Sequence, residues 1–150
     1  MSNDYVRGLV DGEGCFTFHT ITGKFVKVSE GKIEKLRRPV FAIAMCWRDE
    51  PLLEYVREVM GLHENLYRSS GFPGPGRENA QNKVALYSRS TSELLHNTIP
   101  FFYKKLHGFK GWQFELWLEE MGRTWMTSDS RYLHRKYKEG YFEDKMDKFP

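Results

Sequence analysis

The stretch YVRGLVDGEGCF, residues 5–16, decides how the chain begins to fold. Its apolar side chains recur every three or four residues, which predicts a helix from about Asn3 to Gly12, capped by Asn3 or Asp4. We expect Gly14 to end this helix, because an alternating strand pattern follows at once. The apolar positions of the helix are Tyr5, Val6, Leu9 and Val10.

Two features of this helix are unfavourable for stability. Glu13 lies at the C-terminal end, where the helix dipole repels a carboxylate by some tenths of a kcal/mol. Gly8 lies inside the helix, where glycine costs about 1 kcal/mol relative to alanine. Gly8 and Gly12 share one face and permit close helix packing. The structural alternative is that Gly12 and Gly14 are ordinary C-cap residues and that Glu13 is an exposed turn residue.

Composition limits the class of protein. A chain of 150 residues suits one folded unit, and its 15% aromatic residues and six prolines argue against a disordered chain. The formal net charge of +3 suits a polyanionic partner only weakly. Two distant cysteines indicate neither a disulfide scaffold nor a zinc site. With no apolar run of 18 residues and no signal-peptide layout at the start, we expect an intracellular protein that has no membrane partner and is not secreted.

Two hairpins are predicted, each followed by a helix. Residues 15–21 alternate as a first strand and residues 39–47 as a second, joined by a long polar connection over residues 22–38. Their inward side chains are predicted to be Phe16, Phe18, Phe41, Ile43 and Met45. A helix capped by Asp49 and ended by Gly61 follows.

The second hairpin pairs residues 64–70 with residues 82–90 across a tip at residues 71–81. Thr91 or Ser92 is predicted to cap a short helix that Pro100 ends. A longer helix from about Leu106 to Met121 carries Phe109, Trp112, Leu116 and Trp117, and a short helix is expected after Ser128.

This order predicts an α+β fold in which one face of a four-stranded antiparallel sheet packs on helices and the other face is open. Polar side chains are expected to cover the open face, either as an ordinary solvated surface or as a binding surface. They are Thr17, His19, Arg68, Arg77, Asn79, Gln81, Asn82, Lys83 and Arg89.

Residues Val6 to Gly14, VRGLVDGEG, resemble the LAGLIDADG motif of the homing endonuclease family of that name. Gly8, Asp11 and Gly14 are identical to the motif, and Glu13 stands at its acidic position. Residues 41–61 resemble the second strand and following helix of the family. Residues 99–117 resemble its later helical region, in which a lysine lies five residues after a proline. The resemblance extends from Tyr5 to Met121.

The resemblance implies an αββαββα domain over residues 1–122 with a saddle-shaped antiparallel sheet that binds DNA. Residues 123–150 form a C-terminal extension that packs on the domain or contacts DNA. A chain with one motif is expected to act as a homodimer through the motif helix, with Gly8, Leu9, Asp11 and Gly12 at the interface.

For catalysis, the resemblance implies that Glu13 binds Mg²⁺, with the carbonyls of Gly12 and Gly14 as helpers; Ca²⁺ or Mn²⁺ can occupy the same site. Lys105 matches the family's basic residue near the reacting phosphate, although as one of three lysines in seven residues it also fits a solvated surface. Asp11 is interpreted as structural. The sequence departs from some relatives late in the second strand, where it offers Met45 and Arg48 but no glutamine to order water.

The implied function is a site-specific DNA homing endonuclease that makes a staggered double-strand break with 3′ overhangs in a long pseudo-palindromic target. Arginine would bridge guanine on the sheet face, and asparagine or glutamine would bridge adenine. Such a protein is intron-encoded or part of an intein, and acts in the cytoplasm or nucleoid of a prokaryote or in an organelle. The alternatives are a maturase that binds intron RNA and a non-cleaving DNA-binding protein. A histidine-based nuclease is disfavoured, because the five histidines show no metal-binding spacing.

Overall fold

The computed structural model describes residues 2–69 and 82–150. The first half contains α1 (Asn3–Glu13), β1 (Gly14–Ser29), β2 (Lys32–Cys46), a 3₁₀ turn (Trp47–Asp49) and α2 (Glu50–Met60). The second half contains β3 (Tyr67–Ser69), β4 (Lys83–Ser88), α3 (Thr91–Glu93), a π-helical turn (Leu94–Thr98), α4 (Ile99–Phe102), α5 (Gly108–Glu120), α6 (Ser128–Lys138) and a 3₁₀ segment (Tyr141–Lys148). None of the helices in these ranges is long and apolar enough to cross a membrane.

The four strands form one antiparallel sheet in the order β1-β2-β4-β3, which confirms the predicted α+β fold. Phe16 of β1 lies opposite Phe41 of β2, and both rings face the helices. The Phe16 ring also contacts Phe102, Phe114 and Trp117, so one aromatic cluster joins the sheet to the helices after it. The inward positions predicted for the first two strands are therefore confirmed.

The predicted connection over residues 22–38 is wrong. β1 and β2 continue through it and meet at a tight turn, in which Gly31 has a φ of 72°. The ladder holds through polar positions such as Lys27, which lies opposite Ile33. Because this outer part of the hairpin is largely exposed, its side chains carry no apolar alternation that would reveal the strands.

Asp49 occupies the N-cap position of α2, as predicted, whereas the other two predicted caps are displaced by at least one residue. Ser2, rather than Asn3 or Asp4, caps α1 and accepts a hydrogen bond from the Tyr5 amide. Ser90, rather than Thr91 or Ser92, caps α3 and accepts from the Glu93 amide.

Pro100 does not end the helix that begins at Thr91, contrary to the prediction. The Ile99 amide bonds to the carbonyl of Leu94 in a π-helical turn, and the helix continues to Phe102. Proline at 100 cannot donate to the His96 carbonyl, which instead accepts a hydrogen bond of 2.6 Å from the Lys148 ammonium. A contact from a distant segment thus satisfies the carbonyl that proline leaves free.

The segment from residue 123 onward packs on the same core as the rest of the chain. Leu133 of α6 and Phe142 of the 3₁₀ segment are buried, and the Phe149 ring lies 5.3 Å from that of Phe101. The backbone amide of Arg37 donates to the Trp125 carbonyl, so the extension also joins β2.

Candidate functional site

The C-terminal end of α1 leads directly into the sheet. Glu13 is its last residue and is exposed, and Gly14 adopts an extended conformation while its amide donates to the Val10 carbonyl. A Cβ added at Gly14 would lie 2.5 Å from Val10 Cγ1 and 2.9 Å from the Val10 oxygen. Glycine is needed here for space, because no larger residue lets the chain turn so closely past the helix into β1.

The other two glycines of α1 have no such reason within the chain. A Cβ added at Gly8 or Gly12 would meet nothing within 4 Å, and both residues are exposed. Since interior glycine costs about 1 kcal/mol relative to alanine, their presence is not explained by contacts that the described residues make.

Asp11 lies between these glycines and holds the start of the α5 region. Its Oδ2 accepts a hydrogen bond of 3.3 Å from the His107 amide. Its Oδ1 is buried and has no hydrogen-bond partner in residues 2–69 and 82–150. A buried carboxylate oxygen without a donor is costly, which marks this helix end as incomplete.

The donor chemistry of this end fits half of a divalent-metal site. Glu13 supplies a hard carboxylate oxygen of the type that Mg²⁺ and Ca²⁺ prefer, and adjacent main-chain carbonyls are of the same type. Within the described part of the chain, no group of three or more His, Cys, Asp or Glu residues is placed to hold a metal. The oxygen donors at this helix end are therefore of the kind that suits Mg²⁺ or Ca²⁺.

The structure places the Lys105 side chain against the C-terminal segment of the chain. The Lys105 ammonium donates to the carbonyl of Phe149 at 2.6 Å and to that of Met146. Burial, and then the nearby charge of Arg7, lower the pKa of Lys105. Arg7 belongs to the first half of α1, about 9 Å along the helix axis from Glu13. The catalytic role of Lys105 stays a prediction.

Arg7 is a structural residue that the sequence analysis missed. Its side chain is 3% exposed, its Nε donates to the Phe101 carbonyl at 2.9 Å and its Nη2 to the Phe149 carbonyl at 2.5 Å. The guanidinium also pairs with Asp4 at 3.1 Å and lies 4.7 Å from the centre of the Phe101 ring. The available signal was a basic residue beside Val6 in the apolar stripe of the helix.

The open face of the sheet carries part of the predicted polar set. Thr17 and His19 alternate with the inward phenylalanines of β1, and Lys83 and Tyr87 alternate with the inward residues of β4. The rings of His19 and Tyr87 lie 6.2 Å apart. Partial burial, and then the charges of Arg89 and Arg38, lower the pKa of His19.

Arg89 is partly engaged within the chain. Its guanidinium lies 4.8 Å from the centre of the Tyr87 ring and forms an ion pair with Glu64. Asn82 is exposed, and its carbonyl accepts from the Trp47 amide. Arg77, Asn79 and Gln81 lie outside the described residues.

The placement of Arg68 on the open face is corrected. Arg68 lies opposite Val84, a buried residue, so its side chain leaves the sheet on the helix side and pairs with Glu50 at 2.5 Å. Tyr67, opposite Ala85, takes the open face and is 58% exposed. The difference is one residue of register, which reverses the face of every side chain in a strand.

Arg38 is a further open-face residue that was not predicted. It lies opposite His19 across the β1–β2 ladder and is exposed. Its position follows from strand alternation once β2 is extended before Pro39, which the sequence analysis did not do.

The fold and this helix end define an αββαββα domain that presents a carboxylate beside an open antiparallel sheet. The family model described as LAGLIDADG endonuclease matches residues 6–121. The chain belongs to the LAGLIDADG endonuclease family, as the motif predicted.

Solved structures show the same fold. The chain is similar to I-LtrWI bound to target DNA, with 23% identity, a TM-score of 0.58, and coverage of 98% of this chain and 41% of that one. It is also similar to I-GzeII in complex with a DNA target, with 21% identity, a TM-score of 0.58 and coverage of 91% and 42%. I-SmaMI, bound to uncleaved DNA in the presence of calcium ions, gives 21% identity, a TM-score of 0.54 and coverage of 91% and 43%.

The chain thus spans about two fifths of the length of these structures. A comparison with curated protein sequences finds no match.

Proposed function

We propose that the chain is a site-specific DNA endonuclease that hydrolyses phosphodiester bonds with a divalent metal and acts as a pair of copies. The observation that carries this proposal is the end of α1, where an exposed Glu13 follows two glycines that face open space. Two such helices can approach closely only if both present small residues, and their ends then bring two carboxylates together.

Glu13 from each copy would hold Mg²⁺, with main-chain carbonyls of Gly12 or Gly14 as additional oxygen ligands. When bound, the metal supplies a Lewis acid and lowers the pKa of coordinated water. Glu13 would hold the metal charge in place through its carboxylate. Gly14 turns the backbone so that β1 starts directly beside that carboxylate. The resulting break would be staggered with 3′ overhangs, as the family resemblance implies.

The open sheet face would bind the DNA. Lys83, His19, Thr17 and the exposed Arg38 lie on it, and a two-stranded ribbon of this kind fits the major groove. The known structures named above hold DNA on the same fold, which supports this use of the face. Binding through lysine and arginine should weaken steeply with salt concentration.

The direct test uses a DNA duplex in which the two sequences that flank the insertion element encoding this chain are joined. The protein is incubated with this duplex, and cleavage is measured. We expect linear products with 3′ overhangs only with Mg²⁺ or Mn²⁺. Glu13→Gln should lower the cleavage rate by at least about a thousandfold, because the metal loses a charged ligand from each copy, while DNA binding is retained.

Glu30→Gln is the matched control, since Glu30 is an exposed glutamate in the turn between β1 and β2. It should cut at the wild-type rate. Equal cleavage by wild type and Glu13→Gln, or no cleavage by wild type, would reject the proposal.

A further inference from the structure

The exposed side of α5 is an apolar stripe. Phe109 is 69% exposed, Trp112 57% and Leu116 41%, and their spacing of three and four residues places them on one helix face. The rings of Phe109 and Trp112 lie 5.2 Å apart. A contiguous exposed patch of large apolar side chains is typical of an interaction surface.

The stripe begins close to the C-terminal half of α1. The α5 region starts at His107, whose amide donates to Asp11 Oδ2 between Gly8 and Gly12. Farther along α5, Trp112 and Leu116 line a cavity of about 290 Å³ together with side chains of β1. The stripe therefore lies beside the start of β1, which is an edge strand of the sheet that the described residues form.

The charge of α5 argues against DNA as the occupant of the stripe. The helix contains one lysine, Lys110, and three glutamates, Glu115, Glu119 and Glu120. An acidic helix repels a polyanion. A protein surface is therefore the better fit.

The area needed for a stable pair argues for a second copy. One face of α1 is about 16 Å long and 10 Å wide, so it offers roughly 160 Å², whereas a stable interface buries about 800 Å² on each partner. At 150–250 Å² for each aromatic side chain, the exposed parts of the stripe add roughly 300 Å². The glycine face alone is too small, and with the stripe the available area rises to about 460 Å², more than half of what a stable interface buries on each partner.

We propose that the α5 stripe of Phe109, Trp112 and Leu116 is the second half of a dimer interface, which a second copy of this chain covers together with the glycine face of α1. The inference deepens the proposed function, on which it rests, because it states what holds two Glu13 carboxylates together. It also states that the motif helix is not sufficient for pairing.

The test is the dimer dissociation constant, measured by sedimentation velocity over a range of concentrations. We expect Phe109→Ser combined with Trp112→Ser to raise it at least about a hundredfold, since aromatic residues at the centre of an interface dominate binding. The control is Phe25→Ser with Ile33→Ser, two side chains of the β1–β2 hairpin that are 62% and 68% exposed. This control should dimerise like the wild type, and circular dichroism should show both variants folded.

Gly8→Leu and the cleavage assay separate this inference from the proposed function. If Gly8→Leu abolishes pairing while the α5 variant pairs as tightly as wild type, the stripe is not part of the interface and the nuclease proposal stands. If the α5 variant disrupts a wild-type dimer that does not cut DNA, the inference is supported and the nuclease proposal fails. A wild type that is monomeric at every concentration, with and without DNA, overturns the inference.

Discussion

The two ends of α1 differ in how completely the chain satisfies them. At the N-terminal end, Ser2 caps the helix and Arg7 is buried among carbonyl oxygens, an aromatic ring and Asp4. At the C-terminal end, Gly8 and Gly12 face open space and one oxygen of Asp11 has no donor within the described residues. The first end contributes to the stability of the chain, and the second has costs that the chain alone does not offset.

The N-terminal end also depends on the last residues of the chain. The carbonyl of Phe149 accepts hydrogen bonds from both Arg7 and Lys105, and the carbonyl of Pro150 accepts from Asn3 at 3.0 Å. Two cations thus share a small set of main-chain oxygens. Removing these oxygens would take acceptors away from the buried Arg7 and from the half-buried Lys105, at a cost in stability.

Deletion of residues 141–150 should have the largest effect on this comparison. It removes the fully buried Phe142, which alone is worth about 3–5 kcal/mol, and it takes the Phe149 and Pro150 carbonyls away from Arg7, which keeps only the Phe101 carbonyl and Asp4. Since a domain of this size is stable by only about 5–15 kcal/mol, we expect a largely unfolded chain, seen as a lost cooperative thermal transition. A shortened chain that melts within a few degrees of wild type would show that the contacts of residues 141–150 with the rest of the chain are not needed for folding.

Arg7→Met should have the next largest effect. The substitution keeps much of the volume but leaves the carbonyls of Phe101 and Phe149 without their donor, and each such buried group costs about 1–3 kcal/mol. We expect the free energy of unfolding to fall by about 3 kcal/mol in urea titration. Arg48→Met, at an exposed arginine, is the control and should change stability by less than about 0.5 kcal/mol.

Gly8→Ala, in the middle of α1, should instead raise the free energy of unfolding of the monomer. A Cβ at this position meets nothing within 4 Å, and alanine is the better helix former, so the monomer should gain up to about 1 kcal/mol. The same change should weaken dimerisation, because the added methyl groups separate the two helices. Denaturant titration at low concentration and sedimentation at high concentration measure the two effects separately.

Gly61→Ala provides the contrast for this prediction. Gly61 has a φ of 70°, and its Cβ would lie 2.8 Å from Asn97 Nδ2. We expect a loss of about 1–2 kcal/mol, since alanine disfavours the left-handed region. If Gly8→Ala and Gly61→Ala both lowered the free energy of unfolding, the view that the glycines of α1 serve a partner would be contradicted.

Much of the fold was predictable because its core elements are periodic. Alternation placed Phe16, Phe41 and Ile43 inward, and glycine at position 61 marked the end of α2. The missed elements depend on distant contacts or on solvent-exposed backbone. The outer hairpin has no apolar alternation, and the helix through Pro100 is completed by Lys148.

The candidate site was predictable at Glu13 and less so elsewhere. The motif fixes Glu13 at a helix end from nine consecutive residues, whereas the face of Arg68 depends on a register that only the paired strand determines. The direction of the Lys105 side chain depends on residues more than 40 positions away. Local sequence patterns carry no information of that kind.

The smallest expected effect is on the pH dependence of stability, and it concerns the open sheet face. His19 on the open face has a pKa lowered by partial burial and then by Arg89 and Arg38. Its folded pKa is therefore below the unfolded value of 6.5, and the unfolded state binds more protons as the pH falls below 6.5.

Stability due to neutral His19 should therefore be present above pH 6.5 and be lost as the pH falls through the folded pKa. We expect the melting temperature of wild type to decrease more between pH 7.5 and 5 than that of His19→Gln, which has no such group. His134→Gln, at another half-buried histidine, serves as the control. It should keep the part of the decrease in melting temperature that His19 causes. If His19→Gln and wild type lose stability in parallel, neither the partial burial of His19 nor the charges of Arg89 and Arg38 lower its pKa in the folded protein.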